Sequence, residues 1–168
     1  LSVETAVEWE YDSTAHVDVT LRPAGDKAAF EALQLVIPFR EESATHYMAN
    51  GLSMRLSNQA GLLPGKGRTG RVWDSTSVVY QRMTVGSFVP IVWVGNLNAG
   101  ITWYADSDEG WWPSDDTPAI EIRRTEEGPV ELVFNLAAEP VELAGPRTLT
   151  FHLNVNPVRP WSEHRGSI

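Results

Sequence analysis

The sequence predicts an all-β fold, an antiparallel β-sandwich with long surface loops, and three observations carry that prediction. Short segments alternate apolar and polar side chains with a period of two, most clearly Ala15, Val17, Val19 and Leu21 against His16, Asp18 and Thr20. Turns rich in Gly, Pro, Asn and Asp separate these segments, and no helical stretch of about 10–15 residues intervenes as a βαβ fold would need. The chain has 168 residues. That length suffices for one sandwich with a buried core and falls short of the roughly 250 residues of a (β/α)8 barrel. A small closed β-barrel stays open as an alternative, because alternation assigns the faces of a strand and not the closure of its sheet.

Val3, Ala6, Val7 and Trp9 form a first strand-like run that ends at the Asp12-Ser13 turn signal, and the alternating run from Ala15 to Leu21 follows. Pro23-Ala24-Gly25-Asp26 reads as a turn. The stretch KAAFEAL has the composition for one or two helical turns, but so short a helix is costly to nucleate, and strand is expected to prevail after Glu31, through LQLVIPF. His46 to Leu56 alternates less regularly. Residues 58–70, NQAGLLPGKGRTG, hold four glycines and one proline and are expected to form a long surface loop. SVVYQRMTV and FVPIVWVG flank Gly86-Ser87 at the spacing of a hairpin, with Pro90 arguing against a central, fully laddered position there. Asn96 to Gly100 reads as a turn, after which Ile101 and Trp103 take one face of a strand and Thr102 and Tyr104 the other. Past the loop DSDEGWWPSDDTP come AIEIRRT, a Glu127-Gly128 turn, VELVFNLA, a short VEL and RTLTFHLNVNP. In the last of these, Leu149, Phe151 and Leu153 alternate with Thr150, His152 and Asn154. The expected total is roughly nine to eleven strands.

Thirteen Lys and Arg against 22 Asp and Glu give a net charge of −9. That balance disfavours nucleic acid and anionic membrane surfaces as partners, since both attract positive charge. No run approaches the ~18 apolar residues of a membrane span, and LSVETAVEWEY lacks the basic start and apolar core of a signal peptide. With no cysteine, disulfides, thiol nucleophiles and cysteine-ligated zinc drop out, although the compartment is not thereby assigned. His16, His46, His152 and His164 are dispersed rather than spaced as zinc ligands. GLLPGKGRTG lacks the order of a phosphate loop because Gly67 follows Lys66, and Ser57, Ser75 and Ser107 have no nucleophile-elbow context. No cofactor is expected.

The densest chemical feature is the loop from Asp106 to Asp116, with five acids and two tryptophans in eleven residues. As a binding edge, Trp111 or Trp112 stacks on the apolar face of a sugar while Asp106 or Asp108 accepts hydrogen bonds from its hydroxyls. As structure, one tryptophan closes the end of the sandwich and the acids cap backbone N–H groups. Paired carboxylates also serve glycoside hydrolysis, and Asp106 and Asp108 share a face if the preceding strand continues through them. DSDEG lacks the EF-hand calcium pattern. A second candidate surrounds Trp73 and Asp74, where Arg68 or Arg71 can pair with Asp74 while its plane packs on Trp73, either as an internal ion pair or as a substrate clamp.

Residues 88–112, FVPIVWVGNLNAGITWYADSDEGWW, resemble a segment found in the β-sandwich region of large bacterial glycoside hydrolase-like proteins related to glycoside hydrolase family 123. That segment reads W-x-G, a short turn, then G-I/L-x-W-F/Y-A-E/D-S/N-D-x-G-W. The pattern falls on Trp93 and Gly95, then on Gly100, Trp103, Tyr104, Ala105, Asp106, Ser107, Asp108, Gly110 and Trp111, with Asp106 where the family often has glutamate. GRTGRVWDS and FHLNVNPVRP are similar to the family's G-R-x-W-D and F-x-L-x-x-x-P-V-K/R-P segments. The resemblance implies a sandwich over residues 1–156 and a connector over 157–168, containing Pro157-Val158-Arg159-Pro160, that leads toward a downstream catalytic (β/α)8 barrel. The family's catalytic groups belong to that barrel, so no catalytic residue is assigned here. The implied function is an accessory or substrate-cleft-supporting sandwich of a carbohydrate-processing protein, extracellular or periplasmic, with Trp73, Asp74, Asp106, Asp108, Trp111 and Trp112 as the ligand-binding candidates. An autonomous carbohydrate-binding module and a structural protein-interaction domain are the alternatives.

Overall fold

A computed structural model of the chain describes residues 1–51, 58–78 and 88–157. Among the described residues run thirteen strands, more than the sequence pattern suggests. They are β1 (Ser2–Trp9), β2 (Thr14–Arg22), β3 (Ala28–Phe30), β4 (Leu33–Phe39), β5 (His46–Asn50), β6 (Asn58–Leu62) and β7 (Gly70–Asp74). Then follow β8 (Ile91–Gly95), β9 (Gly100–Tyr104), β10 (Ile120–Arg124), β11 (Val130–Ala137), β12 (Val141–Leu143) and β13 (Arg147–Asn156). A wide sheet of seven strands has the order β1-β2-β13-β9-β8-β5-β6, a narrow sheet of four has the order β4-β11-β10-β7, and β12 pairs with β3 in a separate ribbon. Neighbouring strands are antiparallel throughout these ladders. The fold is the antiparallel sandwich that the alternation predicts.

Alternation decides which side chains meet between the sheets. From the wide sheet come Val17, Leu21, Val92, Val94, Trp103, Leu149 and Phe151, and from the narrow sheet Phe39, Ile120, Ile122, Leu132 and Phe134, all buried. The Trp103 and Phe134 rings meet across the layers with centroids 4.5 Å apart. At roughly 25 cal/mol per Å² over the ~150–250 Å² of an aromatic side chain, each such residue contributes several kcal/mol of burial free energy. β11 is apolar nearly end to end because it is central in the narrow sheet, whereas edge strand β4 alternates half-buried Leu33, Leu35 and Ile37 with exposed Gln34, Val36 and Pro38. Pro38 is tolerated at that edge because, among the described residues, β4 has a neighbour on one side only.

Three expectations change. KAAFEAL contains no helical turn: Ala28–Phe30 pair with Val141–Leu143, a partner more than a hundred residues away that local composition does not announce. NQAGLLPGKGRTG is not loop throughout, since Asn58–Leu62 form β6 against β5, leaving a shorter turn before β7. Ser75–Val78 form a 3-10 turn, so SVVYQRMTV does not begin as a strand, and the hairpin expected around Gly86-Ser87 lies outside the described residues. The expected connector over 157–168 also lies outside them from Val158 on.

Unequal sheet width leaves part of the inner face uncovered. Val3, Val7 and Trp9 of β1 stand opposite Leu21, Val17 and Ala15 of β2, on the side that faces the core. Their partners on β2 are buried, yet every residue of β1 is exposed, because the narrow sheet ends short of it. Inside the wide sheet, third from the β1 edge, β13 pairs with β2 on one side and β9 on the other.

Candidate functional site

The outer face of the wide sheet is built by the residues that alternate with the core positions. Register places His16, His152, Tyr104 and Ile91 in one row across β2, β13, β9 and β8. Thr14, Asn154, Thr102 and Trp93 form the next row, and Asp18 with Thr150, then Thr20 with Thr148, form two more. These side chains hold one another: His16 Nδ1 and His152 Nε2 are 3.0 Å apart, the Thr20 and Thr148 hydroxyls 2.9 Å, and Asn154 Nδ2 donates to Thr14 Oγ1 at 3.0 Å. Thr150 Oγ1 donates to Asp18 Oδ1 at 2.5 Å, and the His152 ring stacks on Tyr104 with centroids 4.6 Å apart. Among the described residues, His152 Nδ1 is buried without a hydrogen-bond partner.

The loop after β9 folds over this face. At Gly110 the backbone takes φ +90°, and a Cβ there would stand 2.5 Å from the Thr148 carbonyl oxygen, so only glycine lets the loop lie this close to β13. Between loop and strand lies a cleft of about 340 Å³ lined by Asp106, Ser107, Glu109, Thr148, Thr150 and His152. Two carboxylates, three hydroxyls and an imidazole line it, and among the described residues no Lys or Arg does. Such a lining accepts and donates hydrogen bonds to a polyhydroxylated ligand, with the Tyr104–His152 pair beside it as apolar surface.

Of the six candidate residues Asp106 alone lines this cleft, Trp73 and Trp111 are in the core, and Asp74, Asp108 and Trp112 are in neither. Asp106 lines the cleft. Asp108 does not; the strand ends at Tyr104, the Asp108 carbonyl accepts from Trp111 N at 3.0 Å, and Glu109 supplies the second carboxylate. Trp111 is buried between Phe88, Trp103 and Phe134, so it is the tryptophan that closes the sandwich and offers no face to a ligand. Trp112 is half-buried, edge-on to Phe30, with the Arg147 guanidinium 4.0 Å over its ring. Trp73 is buried against Tyr47, its Nε1 donating to Gln59 Oε1 at 3.0 Å. Asp74 pairs with Arg71 at 3.5 Å and accepts from Thr76 N at 3.0 Å and from the Thr76 hydroxyl, starting the 3-10 turn. Trp73 and Asp74 belong to the narrow sheet and not to the cleft. The residues missed were Glu109, Ser107, Thr148, Thr150, His152 and Tyr104; Thr148, Thr150 and His152 are signalled by the polar half of the alternation in RTLTFHLNVN and Tyr104 by that in GITWY, while Ser107 and Glu109 lie within the acidic loop itself.

A second polar cluster lies on the outer face of the narrow sheet. Glu121, 5% exposed, accepts from Arg123 Nη2 at 2.9 Å and Nε at 3.1 Å and from Asn135 Nδ2 at 2.7 Å. Asn135 also donates to the Pro118 carbonyl and accepts from Gln34 Nε2, both at 2.7 Å. Burial pushes the Glu121 pKa up, but the hydrogen bonds from Arg123 and Asn135, with the charges of Arg123 and Arg71, outweigh it and hold the pKa below the ordinary glutamate value. The same contact raises the Arg123 pKa. This carboxylate is occupied by its own neighbours, which marks the cluster as structural and leaves the cleft as the candidate site. Among the described residues no three His, Asp or Glu side chains come together as a metal site.

Comparisons with protein-family models, with curated proteins and with solved structures find no match to this chain.

Proposed function

We propose that this chain is an accessory β-sandwich of a carbohydrate-processing protein, contributing a glycan-contact surface and no complete catalytic machinery of its own. The observation that carries the reading is the cleft over β13, where Asp106, Glu109 and the Thr148 and Thr150 hydroxyls converge beside the stacked Tyr104 and His152. Carboxylates that accept from vicinal hydroxyls next to an aromatic surface match the amphipathic character of a sugar ring. The partner in this reading is a downstream (β/α)8 barrel, whose substrate cleft the sandwich supports.

The test is a titration with a panel of neutral oligosaccharides, read by chemical shifts of His152 and Tyr104. Binding at millimolar ligand should be saturable, and Asp106→Ala should weaken it about tenfold, the loss of one charge-assisted hydrogen bond. Absence of any shift across the panel, in this chain and in a longer one carrying the barrel, overturns the reading. Binding by this chain alone makes it a self-sufficient carbohydrate-binding module.

A further inference from the structure

We infer that β1 is a self-association surface, through which two copies of this chain join their wide sheets edge to edge about a twofold axis at Thr5. Two observations meet in this strand. Its backbone pairs with β2 on one side and, among the described residues, has no neighbour on the other, an open edge of the kind that recruits another strand. Its core-side face is apolar and uncovered, with Leu1 47%, Val3 56%, Val7 46% and Trp9 68% exposed.

What selects a second copy is the self-complementarity of the strand. In an antiparallel pair centred on Thr5, Val3 stands opposite Val7 of the other copy and Leu1 opposite Trp9, all on the core side. On the outer side, Glu4 then stands opposite Ala6 and Glu8 opposite Ser2. Centring the pair on Ala6 would set Glu4 against Glu8, centring on Val7 would set Glu4 against Glu10, and centring on Glu4 would set it against itself. Like charges directly opposite are destabilising, so the glutamates reject these three registers, while centring on Val3 brings no glutamates together but pairs only residues 1–5 and leaves Val7 and Trp9 outside the contact. The contact is isologous and closes after two copies, since each contributes its single β1 edge. The exposed parts of these four side chains amount to roughly 300 Å² of apolar surface per copy, so the pair reaches the ~1,000 Å² of a specific interface only with its backbone ladder, which makes the dimer a weak one.

Sedimentation equilibrium of this chain from about 5 to 500 µM should show a monomer–dimer equilibrium with a dissociation constant in the micromolar range. Val3→Lys and Val7→Glu should each weaken it at least tenfold, and the two together should restore association, because this register sets the introduced charges opposite one another across the axis. Leu97→Lys, at a site 89% exposed in the β8–β9 turn, should change nothing. In the unaltered protein, hydrogen exchange of the β1 amides should slow as concentration rises, a readout that needs no variant to fold. A monomer at all concentrations, β1 exchange independent of concentration, or a double variant no better than the single ones each overturns the inference.

Discussion

Gly95 and Gly100 face each other across the β8–β9 hairpin, and the indole of Trp93 lies over both. A Cβ on Gly100 would stand 2.4 Å from Trp93 Nε1, 2.6 Å from Cε2 and 2.8 Å from Cζ2. Gly100→Ala therefore drives the indole off the sheet, at a cost of about 2 kcal/mol, within the ~1–3 kcal/mol typical of overpacking. These three nearest atoms belong to one side chain, so the obstruction disappears once Trp93→Ala has been made. In that background Gly100→Ala should be neutral or stabilising by about 0.5–1 kcal/mol, because alanine loses less backbone entropy than glycine in a strand. The effect changes sign between the two backgrounds, a coupling of roughly 2–3 kcal/mol. Gly95 is the control: a Cβ there would also meet the Ala99 carbonyl oxygen at 2.5 Å and Gly100 Cα at 2.6 Å, and removing the indole relieves neither. Urea unfolding of the four proteins of the Gly100 cycle, with and without Gly95→Ala, measures all of this provided the m-values agree. Equal penalties for Gly100→Ala in both backgrounds would refute the account that glycine is there to seat the indole.

Glu121→Gln should flatten the acid limb of stability. The folded pKa of Glu121 is lowered, so its contribution is complete above the ordinary glutamate value of 4.5 and is lost as pH falls through the lower folded value. Thermal melts from neutral pH to about pH 3 should show the variant less stable at neutrality and converging with the parent in acid, and parallel curves would contradict the assignment. Arg124→Met should cost about 3 kcal/mol, since the guanidinium is 4% exposed and donates to the Pro64 carbonyl at 2.9 and 3.2 Å and to the Gly128 carbonyl at 2.9 Å. Denaturant titration checks it, and a loss below about 1 kcal/mol would mean that water satisfies those carbonyls equally well.

Period-two alternation was enough to assign the layers, and it placed Val17, Leu21, Leu149 and Phe151 inward and His16, Asp18, Thr150 and His152 outward. The asymmetry in legibility comes from what alternation omits. It does not say which strands are neighbours, so nothing in RTLTFHLNVNP alone revealed that His152 would stand beside both His16 and Tyr104. Trp111 and Trp112 illustrate the same limit: adjacent and alike in sequence, one completes the aromatic core while the other is capped by Arg147. The Asp106-Asp108 pairing assumed a strand that continues, whereas β9 stops at Tyr104 and the turn closed by Trp111 N and the Asp108 carbonyl redirects the chain. β3 and β6 were hidden for another reason, because AAF and NQAGL are short and hold no β-branched residue, so their intrinsic strand preference is weak, and β3 is held by the distant β12 while β6 is held by the preceding strand β5.

The interior place of β13, between β2 and β9, has a consequence for the order in which the fold is completed. Without it the wide sheet is two unconnected pieces, the β1–β2 hairpin and the group β9-β8-β5-β6. Those pieces wait for a strand whose residues pair with β2 across more than 120 positions of sequence, Asn154 with Thr14 and Arg147 with Leu21. During synthesis the half-built sheet exposes two strand edges until Arg147–Asn156 arrives, and so long a closure slows folding and favours association of incomplete chains. The last described strand is thus the keystone, and a chain ended before it should leave the ribosome with a hairpin that has nothing to dock on.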